Sequence, residues 1–389
     1  MFAPPKSRND LQIGILCALS VEYDAMSYAV DEFWDEVNLG RSSADPNSYT
    51  YGRIGDVNVV LLVLSRIGKV AAASATVHLR YSFPNLELLL VVGVCGGVPE
   101  PQSGNKIFLG DVVIGKAIVQ YDVESPCERD TFGEGFGMPR KKIRNFMTSL
   151  ESNRIQRRIE TKAAAYLEEL QSRAKGKRRA ANYQYPGAEK DRLLTPSYKC
   201  KHHTPYDIRP NNPGEVCDAK RKVLCRGFAC GEQQLVVRNL SFDQNWEKVT
   251  RFETPSPAVI IGNIGSGDTV LRSAKERERL AKIYDLVAFE MEGAGAWDQL
   301  PSIVVKGVCD YADHFKNKEW QNFAAATAAA VSKALIEQYP RAEKPDTQIV
   351  ESVDEIHQGS VYVWVSFLCV CVIVTGVHLS GGQQVFKFR

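Results

Sequence analysis

The sequence predicts an α/β fold with a mostly parallel sheet, and three observations carry that expectation. Short apolar runs recur along the chain, each of a length suited to a buried strand. Segments with helical spacing alternate with those runs, the pattern of βα units. Two of the runs, in the strands read at Asp285 to Met291 and Ile303 to Val308, lead into carboxylates at Glu292 and Asp310. Two strands ending in acids put both on one edge of a sheet, and open α/β sheets bind small ligands at the carboxyl ends of their strands. Taken alone, Glu292 reads equally well as a helix N-terminal acid and Asp310 as a turn residue.

Leu11 to Ala18 is the first strand, and Glu22 falls in the first turn of the helix that follows through Ala29. Most acids at such positions only cap or solvate a helix end. Val57 to Leu64 is a second strand, after which Ser65 to Lys69 turns into a small-residue helix over Val70 to Tyr81. The Gly68–Lys69 pair does not make a nucleotide P-loop, because Val63 stands where a Gly is needed and Val70 where Ser or Thr must follow the Lys. Leu86 to Val94 is a third strand, followed by a glycine turn at Cys95 to Val98 that lets a ligand approach the backbone closely. Its spacing is not that of a dinucleotide fingerprint. Val112 to Val119 and Pro257 to Gly262 are further strands, Ser266 to Asp268 is a turn, and Arg272 to Tyr284 is a charged helix. The small residues Gly293 to Ala296 start a helix able to pack closely, and Asn322 to Gln338 is an Ala-rich helix.

The character changes between Glu124 and Thr250. Asn145 to Glu169 reads as one amphipathic helix with a basic face, and Lys175 to Arg179 as a solvated loop. Cys200, His202, His203, Cys217, Cys225 and Cys230 lack the paired spacing of zinc ligands, so no metal is expected. After Pro340 an acidic, polar linker leads to Val361–Leu379, an uncharged apolar stretch just long enough to span a bilayer. A membrane anchor and an extraneous tail are both open readings of it.

With 44% hydrophobic and 24% charged residues and a formal net charge of +2, the composition is that of an ordinary globular protein. It gives no reason to propose a nucleic-acid partner. The opening MFAPPKSRND is polar and Pro-rich, unlike a signal peptide, so a cytoplasmic setting with reduced thiols is expected for the ten cysteines.

Several segments together resemble the nucleoside phosphorylase and nucleosidase superfamily. They are Ile13 to Met26 (IGILCALSVEYDAM), Arg66 to Thr76 (RIGKVAAASAT), Val91 to Gly97 (VVGVCGG), Leu109 to Ile114 (LGDVVI), Ser266 to Leu271 (SGDTVL), Ala288 to Ala296 (AFEMEGAGA) and Gly307 to Asp313 (GVCDYAD). They occur in family order, and the ordered set is specific where any one piece is weak. The likeness is to methylthioadenosine/adenosylhomocysteine nucleosidases, and closer still to the related domains of fungal proteins that often carry NACHT, ankyrin or TPR regions. Tyr183 to Leu193 is similar to a segment of that fungal subgroup.

The resemblance implies a three-layer αβα fold with a central mixed, mostly parallel sheet over residues 11–340, residues 124–250 forming a large insertion. A tail (1–10) precedes it, and a linker (341–360), the apolar stretch (361–379) and a second tail (380–389) follow. It also implies cleavage of the N-ribosidic bond of a purine nucleoside, through an oxocarbenium-like sugar. Asp310 would protonate the leaving base as general acid. Glu292 would accept hydrogen bonds from the ribose hydroxyls, with Met291 packed on the sugar and Glu22 activating water. Val270 and Leu271 would contact the base, and Val94, Cys95 and Gly96 would complete the substrate site. No cofactor is implied, and phosphate enters only as the co-substrate of a phosphorolytic reaction.

Two departures bear on the nucleophile. Phosphorylases of this superfamily hold phosphate with an Arg before the glycine turn and a Ser or Thr within it, whereas Val91 and Val94 stand here. Burying a phosphate dianion against two valines leaves its charge unpaired, which favours water. Lys306 stands where some hydrolytic relatives have Arg, a better bidentate partner, which puts substrate contacts there in question. A homo-oligomer is implied, since relatives complete the pocket across a subunit interface. The alternative from another class is a non-catalytic nucleoside-sensing module.

Overall fold

The structure, a computed structural model, describes residues 3–122, 136–137, 141–194, 235–236, 256–313 and 318–341. Met1–Pro340 forms one compact unit, and of the remaining unit, Arg341–Arg389, only Arg341 is described. The apolar stretch 361–379 and the cysteines and histidines at 200–230 lie outside the described residues. Among the described residues no helix is long and apolar enough to cross a membrane.

The first strand, β1 (Ile13–Cys17), is buried along its whole length. An unbroken apolar run of that kind suits a strand covered on both faces. It feeds α1 (Ser20–Ala29), and after a short β2 (Glu32–Phe33) come β3 (Thr50–Ile54) and β4 (Val57–Val63). Helix α2 (Lys69–Ser82) leads to β5 (Leu88–Gly97), then β6 (Val112–Gln120) and the two-residue β7 (Phe136–Gly137). Next are α3 (Lys141–Leu150), α4 (Asn153–Ala174), and the small pair β8 (Leu193–Leu194) and β9 (Leu235–Val236). The chain then returns to the sheet through β10 (Val259–Ser266), α5 (Ala274–Tyr284), β11 (Leu286–Glu290), α6 (Gly293–Trp297), β12 (Ser302–Asp310) and α7 (Lys318–Gln338).

The main sheet is mixed, in the order β11-β10-β6-β12-β5-β1-β4-β3-β2, with β7 beside β6. Parallel pairings join β4, β1, β5 and β12 on one side, and β6, β10 and β11 on the other. The two groups meet antiparallel at β12–β6. The sheet also curls back on itself: β11 pairs antiparallel with the end of β5, Ala288 opposite Gly97 and Phe289 opposite Gly96. Strands β5, β12, β6, β10 and β11 thus form a closed ring. That closure continues β5 through Gly97, where the sequence suggested a turn after Val94.

Helices cover both faces, as a three-layer fold requires. Helix α7 lies on the β12 face that carries Gly307, and α6 on the face that carries Val304. Helices α1 and α4 pack with α7 in one layer, and α2 packs with α6 in the other. The single amphipathic helix expected over 145–169 is two helices, because the chain turns at Glu151–Ser152. Ile159, Ala163, Leu167, Leu170 and Ala174 form the buried stripe of α4, at helical spacing, within the same core cluster as the sheet. This part of the 124–250 segment is therefore packed into the domain core.

Candidate active site

The β11–α6 junction sets the first carboxylates. Glu290, at the end of β11, accepts the backbone N–H of Glu292 at 2.9 Å and that of Gly293 at 2.9 and 2.8 Å. The helix-start role that the sequence left open for Glu292 thus belongs to Glu290. The Glu292 side chain turns elsewhere. Its Oε2 lies 2.9 Å from Lys306 Nζ, and its Oε1 accepts the Gly68 N–H at 3.2 Å.

Lys306 is fully buried and also lies 3.5 Å from Glu290 Oε2. Burial alone would depress its pKa, but the carboxylates of Glu292, Glu290 and Glu22 outweigh burial and raise it, so the ammonium stays charged. Lys306 is not among the residues lining the cavity. It is a counter-ion beneath the site, not a wall of it.

Asp310 reaches the site through a bulge. In the β12–β5 register Val308 pairs with Cys95 and Asp310 with Gly96, leaving Cys309 as the extra residue. Bulges re-aim the side chains that follow them, and here Cys309 and Asp310 both border the cavity. Asp310 Oδ1 accepts the Ala312 N–H at 2.8 Å, and Cys309 Sγ lies 3.6 Å from Oδ2. The expectation that Glu292 and Asp310 share one edge of a parallel sheet needs correction, since β11 and β12 run in opposite senses. The two acids converge because both strands close on β5 at Gly96.

Glu22 enters from α1. Its Oε2 accepts the N–H groups of Ala18 and Leu19, each at 2.9 Å, and its Oε1 accepts that of Val94 at 2.8 Å. A Cβ on Gly93 would run into Glu22 Oε1 and lie 2.6 Å from the carboxyl carbon, so only glycine leaves room for this carboxylate. Burial pushes the Glu22 pKa up, and the Glu292 charge adds to the rise, while Lys306 and the N–H donors offset part of it. Val91 is buried in the core of β5 and presents no phosphate ligand.

These groups surround one cavity of about 300 Å³. Glu22, Val94, Cys95, Gly96, Val270, Leu271, Met291, Glu292 and Asp310 all line it. Sequence reasoning missed Tyr121, Phe289 and Thr269 on the same wall. The Tyr121 and Phe289 rings meet edge to face at 5.5 Å, and burial pushes the Tyr121 phenol up to about 12. Phe289 belongs to the AFEMEGAGA run and was findable there, whereas Tyr121 carried no sequence signal. Among the described residues no group of three or more His, Cys, Asp or Glu is arranged to hold a metal ion.

A sequence model of the Phosphorylase superfamily matches residues 12–187. The match includes Glu22 and Val94 to Gly96, and Glu292 and Asp310 lie beyond it. The chain is 29% identical over 341 residues, 86% of its length, to a nucleotide-binding leucine-rich repeat (NLR)-like protein of Hyaloscypha variabilis. It is 36% identical over 130 residues, 33% of its length, to a 5'-methylthioadenosine/S-adenosylhomocysteine nucleosidase of Oceanobacillus iheyensis. Those alignments span 30% and 51% of the two relatives' own lengths. Among solved structures, futalosine hydrolase of Helicobacter pylori aligns with a TM-score of 0.47 and 17% identity, covering 85% of this chain and 100% of that one. Over residues 12–187 the chain is thus similar to the Phosphorylase superfamily, in line with the resemblance that its motifs carry.

Proposed function

We propose that this domain hydrolyses the N-ribosidic bond of a purine nucleoside. The observation that carries the choice of water is the seat of Glu22. Its carboxylate fills the space over Gly93 and takes the Val94 N–H, the ground a bound phosphate would need. A second anion there would meet Glu22 and Val94, while the Lys306 ammonium beneath is already paired with Glu292.

The roles of the remaining groups follow from their chemistry. Asp310, with Oδ1 engaged by Ala312, protonates the leaving base through Oδ2. Glu292 keeps acceptor capacity beyond its bonds to Lys306 and Gly68, enough to receive the two ribose hydroxyls and to stabilise positive charge on the sugar. Met291 packs against the sugar, and Val270 and Leu271 flank the base. Glu22 takes a proton from the attacking water, for which its raised pKa suits it. The exposed Ile67 and Val70, next to the cavity wall, suit cover by a second copy of the chain, which sedimentation would detect as a dimer.

A panel of adenosine, inosine, guanosine and methylthioadenosine with free-base detection tests the reading. Base release from at least one of them is expected. Tight nucleoside binding with no base release from any would point instead to a nucleoside-sensing module.

A further inference from the structure

The Gly68–Lys69 pair, which fails as a phosphate loop, has another use in the structure. It opens α2, whose first N–H groups lack intrahelical partners. Two carboxylates from other elements satisfy them: Gly68 N–H donates to Glu292 Oε1 at 3.2 Å, and Lys69 N–H donates to Asp268 Oδ1 at 2.8 Å. Gly68 has φ +112°, and a Cβ there would lie 2.8 Å from Asp268 Oδ1, so the position needs glycine twice over. A lysine at the first helical position opposes the helix dipole. Asp122 offsets that, its Oδ1 lying 2.5 Å from Lys69 Nζ. The other oxygen of Asp122 accepts the Asp268 N–H at 2.8 Å. Tyr121, one residue earlier, donates its hydroxyl to the Thr269 carbonyl at 2.9 Å. The residues tied down in this way lead directly into Thr269, Val270 and Leu271, which line the cavity.

We propose that Lys69, Asp122 and Asp268 form an electrostatic clasp that positions the Thr269–Leu271 wall and thereby sets affinity for the base. The inference rests on the nucleoside reading for its effect on affinity, but not for the clasp itself. The three residues are positioning residues, since none of them borders the cavity. The clasp also joins the base wall to the Glu292 carboxylate, because Gly68 and Lys69 hold Glu292 and Asp268 through adjacent N–H groups.

Hydrogen exchange on the full chain, combined with steady-state kinetics, tests it with Lys69→Met, Asp122→Ala and the conservative Lys69→Arg. In Lys69→Met and Asp122→Ala, exchange should quicken about tenfold in peptides spanning 67–70 and 267–273, the scale of one charge-assisted hydrogen bond. Exchange in β1 and β5 should stay unchanged. The same two variants should raise KM about tenfold with kcat little altered, and Lys69→Arg should restore both readouts. Unchanged exchange at 267–273 would overturn the clasp, as would a fall in kcat at constant KM. If the wild-type chain frees no base, the hydrolase reading fails by itself, and the exchange measurement still decides the clasp.

Discussion

Glu22 Oε1 accepts the Val94 N–H at 2.8 Å while overlying Gly93, so the carboxylate and the glycine turn form one fitted unit. Gly93→Ala tests that fit. Its Cβ would sit 2.6 Å from the Glu22 carboxyl carbon and must displace the carboxylate. Turnover should fall at least about tenfold, consistent with the sensitivity of catalysis to small misplacements. Thermal unfolding together with kinetics would separate this from a general loss of fold.

Glu22 also dictates a pH dependence. Burial raises its pKa, so the carboxylate ionises above the ordinary Glu value of about 4.3. The acid limb of kcat/KM should therefore lie above that value, with activity rising as Glu22 loses its proton. Stability moves the other way. The folded state holds the proton more tightly than the unfolded one, so the stabilising contribution of Glu22 is complete below the unfolded pKa and is lost as pH rises through the folded one. Glu22→Gln should abolish the acid limb along with most turnover. An acid limb that survives in the residual activity of this variant would assign it to another group.

Lys306 supports three buried carboxylates with one ammonium. Lys306→Met would leave Glu292, Glu290 and Glu22 without it and should destabilise the fold by about 3–5 kcal/mol at neutral pH. Any folded fraction should show an acid limb shifted further upward, because Lys306 lowers the Glu22 pKa. Chemical denaturation and a pH profile read the two effects separately.

Asp310→Asn removes the proposed proton donor and keeps its shape. Turnover should drop about 10²- to 10⁴-fold, the usual worth of a general acid. Nucleoside affinity, measured by calorimetry, should stay within a few-fold of wild type. Wild-type turnover in this variant would remove Asp310 from the chemistry.

Much of the fold was legible because its strands are continuous apolar runs with glycine or carboxylate punctuation. β1, β4, β5, β6, β10, β11 and β12 each overlap an expected strand. β3 was missed, since TYGRI carries no clear alternation and lies at the sheet's margin. Of the acids lining the cavity, Glu22, Glu292 and Asp310 were singled out by motif and Glu290 was not, and the way they meet was not visible. That depends on ring closure at Gly96–Gly97 and on a bulge at Cys309, which follow from long-range strand pairing. Lys306 stood out only as a departure from Arg, and nothing local in the sequence marks it as the counter-ion of Glu292. Lys69 and Asp122 escaped for the same reason, being far apart in sequence and joined only by the fold.

The identity of the sugar product tests most directly whether water is the nucleophile. The wild-type chain would be incubated with its best nucleoside substrate at zero and at saturating phosphate, and the sugar analysed. Free reducing sugar should form at the same rate in both, with no sugar phosphate. Accumulation of sugar 1-phosphate in step with phosphate concentration would contradict hydrolysis and the role given to Glu22.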